Sequence, residues 1–355
     1  MKKITMQQIA DHLGVSKFVV SKALSGKGGV NEATKNRVIE AASQLGYFAQ
    51  KNAYIKNQAD PHSYSETSSR QSVIVLMPNI RFQTRESLYW GRILEGISGE
   101  LERRGLGMVI ISESRVDNIL HILNPGGILG MIGVGQIDSS LLLEVHRLGI
   151  ATVLVDHEDA LIPTDTVFAN NMDSIARLCT HLIGLGHRKL SFIGDLSFSR
   201  SFRDRWFGFR DAMERSGLEP QQMDDPMLCL KGVESGEYAE ELTELFRSKQ
   251  REDKLPSALV CANDLIALQV IAILQEIDVS VPEQVSVSGF DNIDDATRGA
   301  ISLTTVNVPK EAIGRRAVKK LMERIENPDM TIEKILMSTE LVLRDSTKAP
   351  SSSVN

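Results

Sequence analysis

From Ser72 onward, short apolar runs of strand length alternate with longer segments of helical period, and no other feature restricts the fold as much. Val73–Met77 reads as a buried strand and Leu88–Arg104 as a helix, with Gly105 just past its end. Strand Gly107–Ser112, a short helix near Val116–Leu123, strand Gly127–Gly133, helix Ser139–Leu148 and strand Ala151–Val155 follow. A second series runs through helix Met172–Leu185, strand Lys189–Ile193, helix Phe202–Ser216 and strand Met227–Leu230. Helix Glu237–Arg247, strand Ala258–Cys261, helix Asp264–Glu276 and strand Val285–Gly289 complete it. Such alternation calls for right-handed βαβ units, so the expected body is α/β with parallel sheets covered by helices on both faces. Two open sheets in tandem make two lobes, with a cleft between the carboxyl ends of their strands.

The first 57 residues follow a different rule, that of an all-α head. Thr5-Met6-Gln7-Gln8 has the form of a capping box, and Met6, Ile9, Ala10 and Leu13 follow at helical spacing until Gly14. Ser16 opens a second helix, with Val19, Val20, Ala23 and Leu24 on its inner side, and Asn31 opens a third that Gly46 ends. Only Gly14-Val15 joins the first two, which makes a helix-turn-helix. Such a unit presents the first residues of its second helix to the DNA major groove, here Ser16, Lys17, Phe18, Ser21 and Lys22. A lysine can donate to guanine O6 or N7, and an aromatic ring can touch a thymine methyl. Thr5, Ser16, Asn31 and the positive helix N-termini suit phosphates. The other reading is a three-helix bundle whose lysines form a solvated face.

Charge separates these readings. The chain carries a net −6, yet residues 1–57 hold nine Lys/Arg against three acids, leaving 31 basic and 43 acidic residues for the rest. A basic head on an acidic body fits a densely negative partner bound by the head alone.

The run from Ile4 to Tyr47, with Ile9-Ala10, Gly14-Val15-Ser16, Val20-Ser21 and Leu45-Gly46-Tyr47, resembles the DNA-binding head of the lactose/galactose repressor family of bacterial transcription regulators. That resemblance implies that Lys17, Phe18 and Lys22 read bases, while Val19 stands where a threonine is usual. It also implies a hinge helix after the head that enters the minor groove. Ala53 fits that pattern, and Ile55 is placed to act as the apolar wedge. Tyr54 and Lys56 depart from it, so a plain flexible linker is the alternative. Polar residues 58–71 lengthen the connection and loosen the tether.

The resemblance continues into the body through Leu185-Gly186-His187-Arg188, Arg205-Trp206-Phe207-Gly208-Phe209 and Ala262-Asn263-Asp264. Val281-Pro282, Ser288-Gly289-Phe290-Asp291 and Leu303-Thr304-Thr305-Val306 follow in the family's order. It implies a two-lobed, periplasmic-sugar-binding-protein-like fold over 72–345 in which the chain crosses between lobes three times. One lobe would hold about 72–167 and 302–327, the other about 168–298 and 335–343, with 346–355 a disordered tail. Asp156, Arg205, Asn263 and Asp291 are the implied ligand contacts, with the polar groups that grip vicinal hydroxyls, and Phe168 offers a sugar ring an apolar face. Taken singly, Asp291 and Asn263 read equally well as helix caps. The loop Asn79–Glu86 and Val308 depart from the family, and Arg81 and Arg85 there suit either an anionic ligand or plain solvent.

Other chemistries lack support. The glycines between Gly126 and Gly135 match neither phosphate-binding motif and read as a glycine-bearing strand and turn. His157-Glu158-Asp159 reads as solvated rather than metal-binding. Cys179, Cys229 and Cys261 lack disulfide or zinc spacing, and no nucleophile elbow appears. The expectation is a non-enzymatic, cofactor-free, cytoplasmic repressor. It would bind double-stranded, pseudo-palindromic operator DNA as a homodimer and sense a small-molecule effector, a saccharide or derivative, with no membrane partner. A transporter's solute-binding protein would share the body, but neither the basic head nor the absence of a signal-peptide apolar run near Met1 suits one.

Overall fold

The computed structural model describes residues 6–25, 34, 37–38, 72–77, 89–112, 128–233 and 235–350. The chain divides into two compact units, 1–68 and 69–355. In the first, α1 (Met6–Leu13) and α2 (Lys17–Ser25) flank a turn in which Gly14 adopts φ 65°, a conformation that strains any residue with a Cβ. Ser16 caps α2 by accepting the Val19 amide at 3.3 Å. Ile9, Ala10, Val20 and Val38 are each fully buried, as the apolar period requires of an inner face. Of the third helix only Thr34, Arg37 and Val38 are described, all helical; the Thr5 and Asn31 caps, the hinge segment with Ala53 and Ile55, the loop 79–86 and the helix near 116–123 lie outside the described residues.

The second unit is α/β, as the alternation demands. Its elements are β1 (Ser72–Leu76), α3 (Trp90–Arg103), β2 (Gly107–Ile111), β3 (Ile128–Val134), α4 (Ser139–Arg147), β4 (Thr152–Val155) and β5 (Asp165–Ala169). Then come α5 (Asn171–Gly184), β6 (Leu190–Ile193), α6 (Arg200–Arg215), α7 (Ala239–Arg251), β7 (Ala258–Cys261), α8 (Asp264–Glu276) and β8 (Ser286–Ser288). The chain closes with β9 (Thr305–Asn307), α9 (Lys310–Glu326), β10 (Lys334–Met337) and β11 (Glu340–Val342). One sheet has the order β10-β5-β4-β3-β1-β2 and the other β6-β7-β8, and every pairing within these two is parallel. β9 and β11 pair antiparallel beside them. Among the described residues no helix is long and apolar enough to cross a membrane.

Alternation along the strands explains the layering. Val73 and Val75 face Ile93, Ile97 and Leu101 of α3, whereas Ile74 and Leu76 face Leu141, Leu142 and Val145 of α4. α3 and α9 cross where Gly96 meets the Glu311 backbone and Gly314 meets that of Ile93, so a Cβ at either glycine would overlap a carbonyl.

Several expectations need correction. β5 went unread because Asp165 and Thr166 interrupt the apolar run. Both are buried all the same, since Asp165 pairs with Arg324 at 2.7 Å and accepts the Glu333 amide at 2.8 Å. Met227–Leu230 is no strand: Pro226–Leu228 forms a 3-10 turn capped by Asp225, and only Cys229 bridges to Asp195. The stretch 335–343, expected with the second lobe, is shared: β10 pairs with β5 in the first sheet, and β11 pairs with β9. Of the expected return segment 302–327, α9 packs on α3 and the first sheet, while Thr304 bridges to Ser288 at the end of β8. The tail is ordered through Pro350. Ser346 is fully buried, donating to the Val287 carbonyl at 2.6 Å and accepting the Thr304 amide at 2.8 Å. Composition hid this because the contacts are polar and backbone-directed.

Candidate functional site

On the head, the residues expected to face DNA are displayed by the cap geometry of α2. Ser16, Lys17, Phe18 and Ser21 are exposed, Phe18 by 66%, while Val20 is buried on the opposite side. Lys22 lies one turn beyond Phe18, with its ammonium 5.1 Å from the ring centroid. An aromatic of this size left in water on the face that also bears two lysines is a costly placement for a structural residue and a suitable one for a binding face.

In the body, the candidates converge where strand ends of the two sheets meet. Asp156 follows β4 in a left-handed conformation (φ 56°) and accepts the Ser201 hydroxyl at the start of α6. The Ser201 hydroxyl in turn accepts Asn171 Nδ2 at 3.0 Å, and Asn171 Oδ1 accepts Arg205 Nε at 2.9 Å. Arg205 Nη1 donates to the Ala262 carbonyl at 2.6 Å and Nη2 to Asp291 at 3.4 Å, with the guanidinium stacked 3.8 Å from the Phe290 ring centroid. Asp156, Arg205 and Asp291 thus form one network linking both sheets. Asn263 Oδ1 caps α8 by accepting the Ile266 amide at 2.9 Å, which leaves its amide nitrogen for a further acceptor. Phe168 is 2% exposed within β5, and the Arg200 guanidinium sits 5.3 Å from its ring centroid, so one face is already taken.

Sequence reasoning missed the residues that hold this network in place. Asn171 and Ser201, each one residue ahead of an expected helix start and not singled out, are buried connectors. Asp264, fully buried, accepts Thr305 Oγ1 at 2.5 Å and the Ile293 amide at 2.9 Å. Lys310, buried at the first turn of α9, donates to the Asp291 and Asn292 carbonyls, holding two successive left-handed residues. A lysine after a proline carries no mark of burial in the sequence; only Asn263-Asp264 after a strand hinted at more than a cap. His157-Glu158-Asp159 is not solvated either: Asp159 is buried and accepts Ser139 Oγ and two amides, and Glu158 pairs with Arg200 and Lys334.

Burial governs the electrostatics. It pushes the Asp291 carboxyl up to about 7, against the pull of Arg205, and Asp264 up to about 6, against its hydrogen bonds. Asp156 is raised by the same cause despite the Ser201 hydroxyl, and Lys310 is lowered by it. Burial and the Asp156 and Asp291 charges hold the Tyr89 hydroxyl far above its usual range. The cluster holds buried carboxyls with raised proton affinity and a fixed five-donor fork, which is equipment for gripping a polar molecule.

Residues 5–50 match the family described as bacterial regulatory proteins, lacI family, and residues 179–347 match the periplasmic binding protein-like domain. The HTH-type transcriptional repressor PurR of Haemophilus influenzae is 28% identical, with 97% of this chain and 99% of that protein covered. The HTH-type transcriptional regulator DegA of Bacillus subtilis is 26% identical over 97% and 98%. Among solved structures, a transcriptional regulator CelR–cellobiose complex superposes with a TM-score of 0.68 at 21% identity, covering 97% of this chain and 99% of that one. The lac repressor dimer bound to operator and the anti-inducer ONPF does so at 0.65 and 20%, covering 98% and 100%.

Proposed function

This chain belongs to the lactose/galactose repressor family, and from that premise we propose that it is a transcriptional repressor whose grip on operator DNA is set by a small molecule in the body's cleft. The observation that carries the reading is the pairing, within an alignment to one relative that covers 97% of this chain, of a helix-turn-helix head with a body whose polar network joins two sheets. Lys17, Phe18, Ser21 and Lys22 would read bases in the major groove, and Thr5, Ser16 and Asn31 would hold phosphates. Ala53 and Ile55 would engage the minor groove.

Two heads on a two-fold axis match two half-sites, so the working form is a homodimer on a pseudo-palindromic operator. Apolar Val109 and Ile110, each 42% exposed on edge strand β2, support a partner at that edge. The effector is a saccharide or derivative. Asp156, Arg205, Asn263 and Asp291 would take its hydroxyls and Phe168 would border its ring. To admit it, Ser201 and Asp156 must exchange each other for ligand groups, which couples occupancy to the angle between lobes.

The test is operator selection from random DNA, followed by fluorescence anisotropy with the selected site across a panel of sugars, sugar acids and phosphosugars. One class should lower operator affinity at least about tenfold, a coupling of ~1.4 kcal/mol. A ligand that raises affinity would make the protein corepressor-dependent instead. Lys22→Ala should erode discrimination between selected and scrambled sites; an equal loss on both would reduce Lys22 to a phosphate contact. Failure to select any sequence would overturn the reading.

A further inference from the structure

The second lobe carries a concavity of about 560 Å³ that the cleft does not share: none of Asp156, Arg205, Asn263 or Asp291 lines it. Its walls are Arg203, Trp206 and Phe207 of α6, the segment Asp195–Ser197 after β6, Met223, and Leu228–Lys231. The walls are joined at the Asp195–Cys229 bridge and by the Leu196 amide donating to the Leu228 carbonyl at 3.1 Å. The volume is that of an ordinary small-molecule site.

Three features of the lining remain unsatisfied. The indole Nε1 of Trp206 is buried and has no acceptor among the described residues, while the ring is held rigidly by a stacked Phe209 and an edge-on Phe192. A buried donor without a partner is costly, and a ligand oxygen would relieve it. Phe207 and Met223 are 42% and 58% exposed beside Leu196, Leu228 and Leu230, which leaves an apolar wall in water. Arg203 and Lys231 are exposed and make no ion pair among the described residues. Among the described residues the lining has one acid, Asp195, whose Oδ1 is engaged by the Ser197 amide at 2.8 Å and hydroxyl at 2.7 Å, so the cations outnumber it.

We propose that this concavity is a second ligand site, for a small amphipathic anion: a ring or short alkyl body bearing a carboxylate, sulfonate or phosphate. The apolar body lies on Phe207, Met223 and Leu230, the charged head meets Arg203 and Lys231, and an acceptor oxygen takes the Trp206 indole N–H. Two cations against one carboxylate among the described residues of the lining, set beside an apolar wall, select against neutral and cationic ligands of the same shape.

Cys229 makes the site readable, being the exposed member of three free cysteines whose other two are buried. The full chain is alkylated with iodoacetamide in the presence of 4-phenylbutyrate or of the uncharged 4-phenylbutanol, and modification of Cys229 is followed by mass spectrometry. Phenylbutyrate should protect Cys229 and the alcohol should need about tenfold more for equal protection. The Arg203→Gln/Lys231→Gln variant, altered only at exposed positions, should lose that preference, and Trp206→Phe should weaken protection about threefold while keeping the ring. Equal protection by acid and alcohol, protection unchanged in the double variant, or no protection up to about 10 mM, an affinity below any specific site of this size, would each overturn the assignment.

Discussion

At Arg205 the guanidinium has three protein acceptors and an aromatic face, so its charge is compensated before any ligand arrives. Arg205→Met keeps much of the volume but leaves Asp291 without its partner. Thermal or denaturant unfolding should then register a loss of about 3–5 kcal/mol, together with loss of the effector response. Asp291 adds a pH signature. Burial raises its carboxyl to about 7, above the ordinary value of about 4, so between these the fold retains a proton that the unfolded chain has released. That stabilisation is complete below about pH 4 and fades as pH rises through about 7. The melting temperature should therefore decline from pH 5 to pH 8, and Asp291→Asn, which cannot titrate, should flatten part of that slope. An identical pH profile in the variant would place the raised carboxyl elsewhere. Sequence alone marked Arg205, Asp156 and Asp291 by family position, but it did not reveal that they bind one another through Asn171 and Ser201.

Helix crossings carry the element scale. α3 and α9 approach closely because Gly96 and Gly314 each leave room for the other helix's backbone. Gly314→Val would drive a side chain into the Ile93 carbonyl, and since backbone cannot yield as a flexible side chain does, the helices must separate. The expected cost is about 2–4 kcal/mol by denaturant titration, although valine adds apolar surface. A neutral outcome would mean that the crossing tolerates a wider separation. Period and caps marked the described helices of the two series to within a few residues, most closely α8, whose bounds and Asn263 cap both follow from the sequence, whereas α9 was missed. Strands fared worse where polar residues are buried, as in β5, or where Pro226 converts an apolar run to a turn.

At the scale of the molecule, the ends of the body are tied by polar contacts rather than by apolar packing. His187 Nε2 lies 2.8 Å from the Lys348 carbonyl, and the Ser346 hydroxyl bridges β8 to the segment before β9. Deleting residues 344–355 also removes Arg344, whose guanidinium donates to the Leu303 carbonyl at 2.7 Å and to Asn292 at 2.7 Å. That truncation should lower the body's melting temperature by several degrees, at about 1 kcal/mol or more per buried hydrogen bond lost. An unchanged transition would show that the tail adds nothing beyond its own ordering.

The head's charge excess, its caps and its helical period are local properties, so +6 in 57 residues, Ser16 at a cap and Phe18 on the outer face were available from composition and spacing alone. The α/β character of the body was available for the same reason, because strand and helix periods are written within single segments. What only tertiary structure decided depends on partners far apart in the chain. β10 reaches the first sheet because Asp165 meets Arg324 and the Glu333 amide, and Ser346 is buried because Thr304 and Val287 receive it. Lys310 becomes a clasp on Asp291 and Asn292, and Trp206 keeps an N–H with no acceptor among the described residues. A polar side chain's role follows from which group stands opposite it, and pattern along the chain carries no record of that group.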